Sequence, residues 1–169
     1  FFVKGDPEAI LMIELDADSI EDLEAKQKAL LTEFNELGLA YHVSLVDQDD
    51  IAKVWALRSA GLGLLSNVPG DAKAVPVIED TCVRVEDLPE YIKEFNVLLD
   101  KHGLYCVHYA HAGSGELHLR PIINLKTREG HEQFRAIAED VVTLVKKYRG
   151  SLSGEHGDGR LRAEFIESI

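Results

Sequence analysis

Two strings, HAGSGELH (111–118) and GEHGDGR (154–160), hold the side chains of this 169-residue chain whose types and spacing best suit chemistry. His111 and His118 bracket a run of small residues, and Glu155 and His156 stand side by side among glycines. Two neutral imidazoles with one carboxylate form a common donor set for Zn²⁺, Mn²⁺ or Fe²⁺, and three protein ligands leave coordination positions open for a substrate. An open position points to catalysis, because structural zinc more often takes four ligands with thiolates among them. HAGSGELH alone is equally compatible with a hairpin whose histidines lie on a solvated face; the Glu155–His156 pair tips the balance toward a metal.

The two histidines converge only if the chain between them turns in a defined way. With residues 112–115 as a four-residue loop, Tyr109 faces His118 across a hairpin and His111 follows two residues later on the same face. One residue more or less in the turn would send His118 to the opposite face. Gly113 and Gly115 are expected to provide the positive φ of the turn. Gly154 and Gly157 are expected to let the backbone bend sharply, so that two consecutive side chains aim at one point.

The elements that must carry these segments follow from periodicity. Strands are expected at AILMIELDA (9–17), YHVSLVD (41–47), AVPVIEDTCVRV (74–85), YCVHYAH (105–111) and ELHLRPIIN (116–124), with Pro76 marking an edge position or a bulge. Helices are expected from the Ser19 cap to Gly38, over roughly 48–65, from Glu86 to His102 with Gly103 as stop, and from the Thr127 cap to Gly150. The breaker stretch SNVPGD (66–71) separates the halves. The order predicts an α+β fold, a largely antiparallel sheet with helices on one face. Its second half matches a ferredoxin-like split βαβ unit lacking the last strand.

At 46% hydrophobic the chain can bury a core, as one domain or two tightly joined halves. A net charge of -12 argues against nucleic acid or an anionic membrane as partner. No apolar run approaches bilayer length and no signal peptide opens the chain, so a cytoplasmic address is expected. Cys82 and Cys106 make no CxxC pair and are expected to be free thiols. The chain opens Phe-Phe-Val without a Met and ends just after its most glycine-rich segment. Residues 1–169 are therefore expected to be one domain of a longer protein.

Four segments in order, VWALR (54–58), AKAVPVIEDTCV (72–83), HAGSGELH and SGEHGDGR (153–160), resemble the C-terminal domain of FAD-linked oxidases. That family includes the glycolate oxidase flavin subunit, D-lactate dehydrogenases and D-2-hydroxyglutarate dehydrogenase. The longer strings HYAHAGSGELHLRP (108–121) and GEHGDGRLR (154–162) look most like large bacterial members with an iron–sulfur region.

The resemblance implies that FAD is held by another domain of the same polypeptide, and no GxGxxG fingerprint contradicts this. It implies oxidation of a D-2-hydroxy acid, onward electron transfer to an iron–sulfur region or another acceptor, and an enzyme at most peripheral to a membrane. It assigns His111, His118 and Glu155 to the metal, His156 to the hydroxyl proton, Arg58 to the substrate carboxylate and Lys73 to a further substrate contact. Several members have Asn where this chain has Arg120. That cation suits a more anionic substrate or pairs with Glu116, the two alternatives being equal. The competing functions are a non-catalytic ferredoxin-like ligand-binding domain and a metal-dependent hydrolase; a pure sensor would not need Arg58 and His156 around the metal.

Overall fold

The computed structural model describes residues 2–65 and 67–169, so Phe1 and Ser66, the first residue of the breaker stretch, lie outside the described residues. The chain divides into two units, the first ending at Arg58 and the second running from Ser59 to Ile169.

In the first unit, α1 (Ile20–Leu37) begins where Ser19 accepts a hydrogen bond from the Asp22 amide at 3.1 Å and ends at Gly38, whose φ is +62°. Both boundaries are those the residue types predict. The helix α2 (Gln48–Leu65), whose residues up to Arg58 belong to this unit, starts with Asp49 and Asp50 in its first turn, where carboxylates oppose the positive end of the helix dipole.

The strands expected at 9–17 and 41–47 are corrected: neither segment is a strand, and Ile10, Leu11, Tyr41 and Leu45 are exposed. Alternation of apolar residues provides a face. A strand also needs a neighbour to accept its ladder hydrogen bonds, and alternation says nothing of that neighbour.

The second unit contains β1 (Lys73–Ala74), β2 (Thr81–Cys82), α3 (Leu88–His102), β3 (Cys106–His111), β4 (Glu116–Ile123), α4 (Arg128–Lys147) and the short α5 (Gly159–Arg162). All pairings are antiparallel, with β4 bonded to β3 and also to β1 and β2. The expected α+β class and the split order are therefore present, since β4 lies between β3 and the earlier strand pieces. No helix among the described residues is long and apolar enough to cross a membrane, and both cysteines are free thiols.

The single strand expected over 74–85 is instead two pieces. Eight residues from Ala74 to Thr81 run beside the six from Ile122 to Leu117, so two extra residues leave the ladder as a bulge. Pro76 has no N–H to donate, the Glu79 amide turns back to the Pro76 carbonyl, and Asp80 adopts a φ of +80°. The bulge pushes Glu79 and Asp80 out of regular alternation, yet both are buried.

Alternate residues of β4 serve different purposes. Leu117, Leu119 and Ile123 join the core with Tyr91, Phe95 and Leu99 of α3 and Ile137, Val141 and Val145 of α4. Each such side chain contributes about 1.5–3 kcal/mol on full burial, so the odd residues fix the register of the strand. Glu116, His118 and Arg120 are thereby assigned to the face away from the helices.

The turn feeding β4 depends on one glycine. Gly115 has φ +76°, and a Cβ there would lie 1.9 Å from the Val83 carbonyl oxygen. Gly113, by contrast, has no positive φ and open space around it, so the expectation for that residue is corrected. Gly115→Ala is expected to destabilise the protein by at least ~2 kcal/mol, read as a fall in denaturation midpoint, whereas Gly113→Ala should change it little.

Candidate metal and proton-transfer site

The hairpin has the register its loop length predicts, with Tyr109 opposite His118 and His111 opposite Glu116. The His111 and His118 rings meet edge to face with centroids 5.3 Å apart, and the Tyr109 ring lies 4.8 Å from that of His118. His118 is only 2% exposed, while His111 is open to solvent.

Residues 153–156 are brought over this face by Asp80. Ser151 first exchanges backbone hydrogen bonds with Cys82. The fully buried Asp80 carboxylate then accepts hydrogen bonds from the Ser153 hydroxyl and from the amides of Glu155 (3.0 Å) and His156 (2.9 Å), while its carbonyl accepts from the Gly154 amide (2.8 Å). Burial alone would raise the pKa of this carboxyl, but those donors outweigh it and hold it at about 2.

Behind the bulge, buried Arg162 donates to the carbonyls of Glu79 (2.6 Å) and Gly157 (2.8 Å) and lies 3.6 Å from Asp80 Oδ2. Gly157 turns with φ +75°, as expected. Gly154 does not; it permits close approach instead, since a Cβ there would sit 3.0 Å from Glu116 Cγ and Cδ.

The result is a compact group of donors. Glu155 Oε1 lies 3.7 Å from both His111 Nε2 and His118 Nε2, and 3.4 Å from His156 Nε2. The His156 ring stacks on that of His118 at 5.1 Å and 14°. Metal–ligand bonds of about 2.0–2.2 Å place neighbouring donors about 3 Å apart and opposite ones about 4 Å apart, so the spacing fits one cation.

The burial pattern fits as well. Burial, with the adjacent His156 and His111, lowers the pKa of His118 despite the opposing charges of Glu79 and Glu155. A lowered pKa favours the neutral imidazole that a metal requires. His118 Nδ1, buried without a hydrogen bond, faces Glu79 Oε1 at 3.8 Å, the side on which metal-bound histidines commonly have a carboxylate. Glu79 is in turn fixed by the Tyr109 hydroxyl (2.9 Å) and by Arg120 (2.6 and 2.7 Å to its two oxygens).

Arg120 therefore pairs with Glu79 and not with Glu116. Lys73 pairs with Ile123, five residues along β4 from His118 and so about 17 Å away at ~3.3 Å per residue; its ammonium donates to the Val68 carbonyl at 2.5 Å. Arg58 is half-buried on α2 and belongs to the first unit, whereas the second unit by itself assembles His111, His118, Glu155 and His156.

The profile of the FAD linked oxidases, C-terminal domain, matches residues 2–168. The chain belongs to that family. A D-2-hydroxyglutarate dehydrogenase of Haemophilus influenzae is 43% identical over 123 residues, covering 73% of this chain and 12% of the relative. Its counterpart in Escherichia coli is 35% identical over 160 residues, covering 91% of this chain and 16% of the relative. The glycolate oxidase subunit GlcD of Bacillus subtilis is 23% identical over 161 residues, 94% of this chain and 33% of the relative. This FAD-linked oxidase C-terminal domain thus spans less than a fifth of the D-2-hydroxyglutarate dehydrogenases named here.

Within the domain, three residues of the site have no assignment from sequence, Glu79, Asp80 and Arg162, and Glu116 has one only as a partner for Arg120. The signal for the first two is the consecutive Glu-Asp pair inside a β-rich run just after Pro76, where regular alternation would bury one carboxylate on the core side. Nothing in the sequence singles out Arg162 among the cations.

Proposed function

We propose that this chain is the substrate-binding part of a flavin-dependent oxidoreductase that oxidises a D-2-hydroxy acid, with FAD held by another domain of the same polypeptide. The observation that carries the reading is the meeting of His111 Nε2, His118 Nε2 and Glu155 Oε1 beside the His156 imidazole. The names of the family and of its relatives support the substrate class.

In this reading His111, His118 and Glu155 hold a divalent cation such as Zn²⁺, Mn²⁺ or Fe²⁺. When bound, such a cation makes a coordinated 2-hydroxyl easier to deprotonate, and flavin supplies an acceptor for the hydride. His156 takes the hydroxyl proton at Nε2. Its imidazole is 45% exposed, so the proton can pass on to solvent.

Arg58 is proposed to receive the substrate carboxylate through its planar fork, which holds the Cα hydrogen in one orientation. Lys73 and Arg120 are weaker candidates for that role, since the Lys73 ammonium is engaged by Val68 and the Arg120 guanidinium is matched by Glu79. An iron–sulfur region is the proposed onward acceptor.

Metal analysis of the intact protein, purified without chelator, is expected to show about one divalent ion per chain. His111→Ala, His118→Ala and Glu155→Ala should each strip it. Equal occupancy in the triple variant would eliminate the site.

A further inference from the structure

Resting on that metal reading, we propose that Glu116 is a fourth protein ligand, making the site a two-histidine, two-carboxylate set for a six-coordinate cation of the Mn²⁺ class. Glu116 lies on the same face of β4 as His118 and opposite His111 across the hairpin. Its side chain is only 9% exposed, and Oε1 is buried with no hydrogen-bond partner.

That oxygen faces His118 Nε2 at 3.7 Å, the separation at which Glu155 Oε1 stands from the same nitrogen. This is too long for a hydrogen bond and falls in the range for two donors of one ion. At this distance an ionised Glu116 and an unprotonated His118 Nε2 repel unless a cation or a proton lies between them, and a divalent ion satisfies both atoms at once. Gly154 packs flush on the Glu116 side chain, so the carboxyl has little room to turn elsewhere. Asp80, the other acid beside it, accepts from residues 153, 155 and 156 and also shares a side-chain hydrogen bond with the Glu116 carboxyl, which holds that group in place and leaves Oε1 facing His118.

The ligand count sets the kind of cation. Four protein donors fill a tetrahedral zinc and leave no place for substrate, as in structural sites. In an octahedron the same four leave two positions, enough for the hydroxyl and one carboxylate oxygen of a 2-hydroxy acid. Two carboxylates also cancel the charge of a divalent ion, and oxygen donors suit Mn²⁺ better than Zn²⁺.

The test titrates intact, chelator-stripped protein with Mn²⁺ and separately with Zn²⁺, reading affinity by competition with a chelating dye. Glu116→Gln preserves shape, and its folding is checked by thermal denaturation beside Glu116→Ala. The expected result is a fall in Mn²⁺ affinity of ~10-fold or more with a clearly smaller fall for Zn²⁺. Unchanged affinity for both ions overturns the assignment of Glu116 as a ligand, and an equal loss for both overturns the six-coordinate, Mn²⁺-class reading. Failure of wild-type protein to bind either ion, or binding indifferent to His111→Ala, would instead sink the underlying metal reading, so the two failures are distinguishable.

Discussion

Replacing His156 by alanine in the intact protein is expected to slow reduction of its flavin by a D-2-hydroxy acid ~10²-fold or more, with metal content and thermal stability retained. The separation of effects follows from burial. His156 is 45% exposed, and its backbone amide, which an alanine keeps, makes the hydrogen bond to Asp80. Its imidazole stacks on His118 but is not needed to hold it, because β4, Tyr109 and Glu79 already surround that ring. Single-turnover measurement of flavin absorbance reads the proton-coupled step directly. Unchanged kinetics would remove His156 from the role of base.

Asp80→Ala is expected to act from outside the chemistry and nearly as strongly. The carboxylate touches no substrate in the proposed arrangement; it positions the loop that does. Without it the Ser153 hydroxyl and the amides of Glu155 and His156 lose their acceptor, and buried Arg162 is left with Asp158, 3.8 Å away, as its carboxylate partner. Breaking a buried pair in this way costs roughly 3–5 kcal/mol, and a displacement of about 1 Å in the loop costs about 10²-fold in rate.

Asp80→Asn separates the contributions. Asn tolerates the φ of +80° and keeps one acceptor oxygen, but it presents an amide to donors that need an acceptor. It should retain most of the stability yet bind the cation ~10-fold or more weakly, as substitutions behind metal ligands do. Equal affinity in Asp80→Asn and wild type would show that the loop is positioned by something else.

The contrast between residues 105–124 and residues 73–82 shows what was legible in the sequence. The hairpin could be placed residue by residue because loop length and strand period fix its pairing, and both are local properties. The caps at Ser19 and Thr127 were legible for the same reason: each side chain bonds an amide three residues away.

The bulge was visible only as Pro76, and its consequence was not. That Glu79 would take Arg120, and that Asp80 would receive residues 153–156, depends on contacts across 41 and more than 70 positions. The strands expected at 9–17 and 41–47 failed on the same ground, since an apolar period cannot name a pairing partner. Residues proposed to meet a cation carry recognisable chemistry in their types; residues that aim them are known only by whom they touch.

Strand β4 writes stability and reactivity on alternate letters. Evolution, or an engineer, can therefore alter positions 116, 118 and 120 while 117, 119 and 123 keep the scaffold intact, and can toughen the scaffold through the second set without rewriting the first.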